Sequence, residues 1–233
     1  MTRRPIPPGL GLPEHLTGFS RGAAKGPETD GRKQRRLRNR EAVVDALLDF
    51  YREGNLRPST DEIAERVGLS PRSLFRYFDD VDDLAGAAVA RAQSRVLNLL
   101  AVEAEPDSER SVRIKALVDQ RFRVFDAVGH AATVTRLRAP FQPVLAKRLQ
   151  ENRSFFRLQL ADLFETELSA LPTARARGVL ATLDVLTSYE SYDLLLHDQN
   201  LTANQAKSAL VHSIAGALDS ATGEGSSASR SDE

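Results

Sequence analysis

The chain has 233 residues, and its 32 basic and 32 acidic side chains leave a formal net charge of zero, so no global charge points to nucleic acid or to an anionic surface. There is no cysteine and there are four scattered histidines, which excludes a disulfide framework and thiolate metal sites and gives no reason to expect a cofactor. No apolar run approaches the ~18 residues that a membrane span needs, and the N-terminus lacks the uninterrupted apolar core of a signal peptide, so the expected setting is the cytoplasm with no membrane partner.

Residues 1–31 are rich in proline and glycine and poor in aliphatics, which predicts a disordered leader. Residues 221–233, ATGEGSSASRSDE, read as a flexible polar tail. Between these ends, period-2 alternation is almost absent and apolar residues recur three and four apart, so the expected fold is all-α with about nine helices. An N-terminal three-helix helix-turn-helix domain over 32–80 is followed by a C-terminal helical bundle over 81–220.

The first helix is predicted over Arg36–Glu53, closed by Gly54 and Asn55. The second begins at Ser59 or Thr60, where Ser59 and Glu62 have capping-box spacing, and Gly68 breaks it. Ser70 and Pro71 then open a short third helix, the serine as cap and the proline where its missing N–H costs nothing. A fourth helix is expected over Val81–Val102. Five more follow over Ser108–Val128, Ala131–Arg138, Gln142–Ser169, Thr173–His197 and Thr202–Ser220, punctuated by Pro140, Pro143 and Pro172.

The chemistry concentrates in LSPRSLFRYFDD, Leu69 to Asp80. A helix, a turn at Gly68 that calls for positive φ, and a capped short helix make a helix-turn-helix pattern. Ile63, Ala64 and Val67 are expected to pack on Leu74 and Phe78, with Ala64 small enough for a close crossing. Leu69, Leu74 and Phe78 then turn inward and Arg72, Ser73, Arg76 and Tyr77 outward. Such a face fits a DNA major groove, where arginine forks onto guanine and hydroxyls take phosphates. The alternative is an ordinary solvated face. The candidate DNA contacts are Thr60, Ser70, Pro71, Arg72, Ser73, Arg76 and Tyr77, with Arg72 and Arg76 reading bases and Thr60 and Tyr77 positioning the backbone. From Met1 to Phe78, fifteen basic residues face ten acidic ones. The run GRKQRRLRNR, Gly31 to Arg40, is therefore either a set of phosphate contacts, Arg36 and Arg40 among them, or a solubilising helix start.

The segment STDEIAERVGLSPRSLFRYFDDVDDL, Ser59 to Leu84, resembles the DNA-binding domain of the TetR family of bacterial transcriptional regulators. Thr60 (offset by one position), Ile63, Ala64, Gly68, Leu69, Ser70, Leu74, Phe75, Tyr77, Phe78 and Leu84 carry the resemblance. Two positions depart from it. Val81 stands where the family often has a phosphate-contacting lysine, and Phe75 replaces a frequent tyrosine. The resemblance implies a repressor that binds a near-palindromic double-stranded DNA operator as a homodimer and is released by a small-molecule effector.

It also implies that the last long helices dimerise and that the helices before them enclose an effector. Leu183, Leu186 and Leu194 on the eighth helix, with Leu210, Ile214 and Ala217 on the ninth, are the expected dimer surface. Packing within one chain is the alternative. For an effector, the expected contacts are Phe122, Arg123, His130, Phe155, Tyr189 and Tyr192, from a wider set that includes Phe125, Phe141, Phe156 and Glu190. A helix-turn-helix protein without an effector, acting as a constitutive DNA binder or protein scaffold, is the second reading. Catalysis is not expected: no E-x-x-H pair occurs, Glu165 and Glu167 fall on different faces, and cysteine is absent.

Overall fold

The computed structural model describes residues 27–223, so the leader before residue 27 and the tail after residue 223 lie outside the described residues. Among the described residues there are eleven α-helices and no strand, which agrees with the all-α expectation. They are α1 (Pro27–Arg52), α2 (Thr60–Arg66), α3 (Pro71–Leu74), α4 (Val81–Arg95), α5 (Arg110–Val128), α6 (His130–Arg138), α7 (Pro143–Leu163), α8 (Glu165–Ser169), α9 (Thr173–Leu186), α10 (Tyr189–Asp193) and α11 (Ala203–Gly223). A short 3₁₀ segment, Leu97–Leu99, and one π-helical turn, Leu194–Asp198, complete the set.

The helices form two compact units. In the first, residues 27–97 and 127–151, α1 supplies Val43, Val44, Leu47, Leu48 and Tyr51 to a core shared with Ile63, Ala64, Leu74, Phe78, Leu84, Ala88 and Val134. Helix α4 therefore packs with the helix-turn-helix, although the sequence reading ended that domain at residue 80. Asp45 fixes the α1–α4 pair: Arg91 Nε and Nη2 each donate to its carboxylate at 2.7 Å, and Arg95 donates to it as well. Arg138 ties α6 to the start of α4 by donating to Asp82 at 2.7 Å.

The second unit, residues 98–126 and 152–223, is built from α5, most of α7, and α8 to α11. Its buried residues include Ile114, Leu117, Phe125, Leu160, Phe164, Leu183, Leu210 and Ile214. One buried ion pair organises its rim. Arg113 donates to Glu167 and to the backbone carbonyls of Leu163 at 2.6 Å and Ser108 at 3.1 Å. Burial alone would push the Glu167 carboxyl up, but the hydrogen bonds and charge of Arg113 outweigh it and hold the group below its ordinary value.

Several boundaries differ from the sequence reading. Helix α1 begins at Pro27, with proline in the first turn, so residues 27–31 are helical rather than leader. The helix expected over Gln142–Ser169 is interrupted at Phe164, because Arg113 takes the Leu163 carbonyl that would continue the ladder. The helix expected over Thr173–His197 breaks after Leu186. There Thr187 bonds back to the Leu183 carbonyl at 2.8 Å, and Ser188 turns extended and caps α10 through the Ser191 N–H. Helix α4 ends at Arg95 instead of Val102, and the chain past it tightens into the 3₁₀ segment. At the far end α11 continues through Gly223, so the expected tail begins later than Ala221, which is buried.

Gly68 adopts φ +66, the left-handed conformation its place in the turn demands, and a Cβ there would meet nothing within 4 Å. A substitution therefore reports backbone strain alone. Gly68→Ala is expected to destabilise the protein by ~1 kcal/mol, whereas Gly86→Ala, inside α4 and equally unobstructed, should be neutral or stabilising. Urea unfolding of both variants checks this, and equal midpoints would contradict it.

Candidate nucleic-acid interface

The capping box expected at α2 is present in full. Glu62 N–H donates to Ser59 Oγ at 3.2 Å and the Glu62 carboxylate accepts from Ser59 N–H at 2.7 Å. Arg66, at the other end of α2, forks onto Glu53 at 2.8 and 2.9 Å and lies 3.5 Å over the Phe50 ring, which locks α2 against the end of α1. The chain then reverses through Gly68 and restarts at Ser70, whose hydroxyl accepts from Ser73 N–H at 3.2 Å.

Helix α3 is a single turn. Beyond Leu74 the backbone tightens, with Arg76 N–H donating to the Ser73 carbonyl and Tyr77 N–H to that of Leu74. Leu74 and Phe78 are buried. Ser70, Pro71, Arg72 and Arg76 are exposed, and Ser73, Tyr77 and Thr60 are half-buried, Thr60 as the first residue of α2. Among the described residues, no hydrogen bond or ion pair engages the Arg72 or Arg76 side chain.

Two expected hydroxyls are already occupied. Ser73 Oγ pairs with Ser70 Oγ at 2.9 Å, and Tyr77 Oη accepts from Asn39 Nδ2 at 3.0 Å. Tyr77 therefore leans on the core rather than pointing fully outward. The Asn39 contact belongs to a seam between α1 and the α3 turn. Arg36 Nη2 donates to the Arg76 carbonyl at 3.4 Å, and the Arg40 guanidinium sits 4.7 Å over the Phe78 ring. The structure thus brings Arg36, Arg40, Arg76 and Tyr77 together, with Lys33, Arg35 and Arg38 exposed along the same helix. Sequence reasoning missed Asn39, whose place one turn from Arg36 was the available hint.

Asp79 and Asp80, which precede Val81 where a lysine is absent, have local work. Asp80 caps α4 by accepting from Asp83 N–H at 2.7 Å, and Asp79 N–H donates to the Asp83 carboxylate.

In the second unit, four of the six expected effector contacts meet. Phe122, Phe155, Tyr189 and Tyr192 are buried and join Phe125 and Phe156 in one aromatic cluster, with ring centroids 5.1 to 5.9 Å apart. Burial pushes the Tyr192 hydroxyl up to about 12, with Asp126 adding to the effect. Arg123 does not join the cluster: it faces solvent and pairs with Glu103 at 3.6 Å. His130 is exposed at the start of α6 in the other unit, Phe141 is 84% exposed, and Glu190 pairs with Arg153. Of the expected dimer residues, Leu183, Leu210 and Ile214 are buried within the single chain, so their faces join α9 to α11 and are not free for a partner. Leu194 is exposed, and Leu186 and Ala217 are half-buried. Among the described residues, no group of three or more histidine, aspartate or glutamate side chains is placed to hold a metal ion.

The elements define a helix-turn-helix unit joined to a second helical unit. No family model matches the chain. Over 68 residues it is 38% identical to proteins of Mycobacterium tuberculosis strains CDC 1551 and H37Rv, each described as an uncharacterized HTH-type transcriptional regulator. That match covers 28% of this chain and 29% of those relatives, so the chain spans under a third of the curated relatives it resembles. Two crystal structures are similar over most of its length. A transcriptional regulator from Rhodococcus sp. Rha1 superposes with a TM-score of 0.61 at 20% identity, covering 78% of this chain and 97% of that one. A TetR-family transcriptional regulator from Streptomyces coelicolor superposes with a TM-score of 0.64 at 19% identity, covering 81% and 83%. The chain has the fold of the TetR-family transcriptional regulators.

The Asn39–Tyr77 bond holds the α3 turn to α1, and a double-mutant cycle isolates it. Asn39→Ala and Tyr77→Phe are expected to couple by about 0.5–1.5 kcal/mol in unfolding free energy. Strict additivity would show that the bond contributes nothing.

Proposed function

We propose that the protein is a sequence-specific, DNA-binding transcriptional regulator of the TetR type, a homodimeric repressor that binds a near-palindromic operator and is released by a small-molecule effector. The observation that carries this reading is the α3 turn: it is capped and anchored from within, yet presents Arg72 and Arg76 without protein partners beside the basic start of α1. Unpaired cations carried on an anchored turn match what a major groove and its phosphates require. Regulation without catalysis follows the same reading, and among the described residues no helix is long and apolar enough to cross a membrane.

Dimerisation in this proposal uses the outward faces of α9 and α11. Ala174, Gly178, Ala181 and Val185 are exposed along one, and Ala209, Ser213 and Gly216 along the other. A Cβ at Gly178 or Gly216 would meet nothing within 4 Å in the single chain. Small side chains let two such faces approach closely.

Selection from random DNA is expected to yield inverted repeats with half-sites a helical turn or a multiple apart. On that operator, Arg72→Ala should cost ~1–3 kcal/mol and relax preference at one position. Replacing Lys33, Arg35 and Arg38 together by glutamine should instead weaken operator and random DNA alike, lowering the slope of log K against log salt by roughly 0.9 per lost phosphate contact. Equal losses on specific and random DNA for Arg72→Ala would overturn the base-reading assignment, and an unchanged salt slope would return the arm to a solubilising role.

The dimer is tested by Gly178→Arg. The position is exposed and a Cβ there meets nothing within 4 Å, so the fold should persist while light scattering shows monomer and operator affinity falls. A folded variant that remains dimeric would place the interface elsewhere.

A further inference from the structure

The aromatic cluster of the second unit contains a cation that no carboxylate touches. Arg121 is 2% exposed and sits within the apolar stripe of α5 formed by Ile114, Leu117, Val118 and Phe125. Its Nη1 donates to Gln120 Oε1 at 2.5 Å and to Gln159 Oε1 at 2.6 Å, and its Nη2 donates to the Phe156 carbonyl at 3.3 Å. Its Nε is buried and has no hydrogen-bond partner in the protein. The guanidinium lies 4.2 Å over the Phe156 ring. Burial pushes it down to about 9, opposed by the charge of Asp184, so it is still a cation at neutral pH. Asp184 itself is engaged by Arg157 at 2.8 Å.

Two other arginines show what this chain does when a guanidinium leaves water. Arg113 is as buried and holds Glu167 as well as two carbonyls. Arg91 uses its Nε–Nη2 edge to fork onto both oxygens of Asp45, each at 2.7 Å. At Arg121 the same edge has one unpartnered donor and one long bond to a carbonyl, and every acceptor around the group is neutral. A buried cation with only neutral acceptors is uncompensated, and the geometry that compensates it is a planar pair of oxygens presented to that edge.

We propose that Arg121 anchors a carboxylate-bearing organic ligand through its Nε–Nη2 edge, with the apolar body of the ligand against the Phe125, Phe156, Tyr189 and Tyr192 rings. One buried cation balances one negative charge, and the surrounding rings offer stacking surface with no second cation for a phosphate's further charge. The site also has a route to the backbone. Gln120 and Gln159, which hold Nη1, both donate to the Leu100 carbonyl, at 3.0 and 2.7 Å. Leu100 follows α4 by five residues, so a ligand that draws the guanidinium toward its free edge pulls on the segment leading out of that helix. This last step rests on the regulatory reading above; ligand binding does not.

The test uses the full chain with benzoate, phenylacetate and octanoate, each beside its neutral amide, followed by melting temperature and calorimetry. At least one carboxylate is expected to raise Tm where its amide does not. Arg121→Met replaces a buried cation by an apolar chain of similar length, a change that folds tolerate. It should weaken binding about a hundredfold, the order expected when one partner of a buried charge pair is removed. Arg121→Lys keeps the charge but loses the fork, and should bind more weakly than the parent, which tests the site even where the methionine variant does not fold. No Tm response to any carboxylate, equal responses to acid and amide, or undiminished binding by either variant overturns the site. DNA retention is measured on the same samples. DNA binding without a carboxylate response removes the site and leaves the regulator, whereas a carboxylate response without DNA binding does the reverse.

Discussion

The burial of Leu74 and Phe78 against α1 is the contact on which the candidate interface depends. A single four-residue turn of helix has no stability of its own, since nucleation is unfavourable and so few bonds follow it. Each of these side chains contributes roughly 1.5–3 kcal/mol by leaving water, and both do so in the core that α1 and α2 line. Once they are fixed, the helical spacing sets the outward direction of the residues next to them. Arg72 and Arg76 face out because Leu74 and Phe78 face in. The seam of Arg36, Asn39 and Arg40 then sets the far end of the turn, so the start of α1 and the α3 turn form one rigid basic edge.

How the chain treats buried charge separates its two units in chemical character. In the helix-turn-helix unit the ion pairs are peripheral, with Asp45, Glu53 and Asp82 joining helices at half-exposed positions where each contributes little alone. In the second unit two guanidinium groups are fully interior, and they are solved differently. Arg113 has its carboxylate and also satisfies the carbonyl left open where α7 stops. Arg121 has amides, a carbonyl and a ring. Since an unmatched interior cation is costly, its retention among aromatic side chains is more informative than the cluster itself.

The helix-turn-helix was legible because every device in it is local. Cap, proline, glycine and apolar spacing all act within a few residues, so Ser59, Gly68, Ser70, Leu74 and Phe78 take the places the sequence implied. The long helices were less legible because their interruptions come from other segments or from side chains competing with the backbone. Nothing near Phe164 reveals that Arg113, fifty residues earlier, takes the Leu163 carbonyl. Thr187 and Ser188 did carry a hint, but an apolar period running through them outweighed it. Expecting Leu183, Leu210 and Ile214 at a dimer surface erred because an apolar stripe does not say which neighbour covers it; α9 and α11 cover each other. Arg121 was passed over in favour of Arg123 and His130, although its spacing from Leu117, Val118 and Phe125 placed it inside the stripe.

The zero net charge also changes meaning once the partners are known. Arg66, Arg91, Arg95, Arg110, Arg113, Arg138, Arg153 and Arg157 each meet a carboxylate of the same chain, and their charge is consumed in holding helices together. A formal count treats them as equal to Arg72 and Arg76, which meet none. The field available to an outside polyanion therefore comes from the basic residues without such partners, and those on the α3 turn and the start of α1 are gathered at one edge. Opposite charges spent internally do not cancel that edge, because pairs at contact distance have short-range fields. A neutral chain can thus present a strongly basic face, provided its acidic residues are the ones committed to structure.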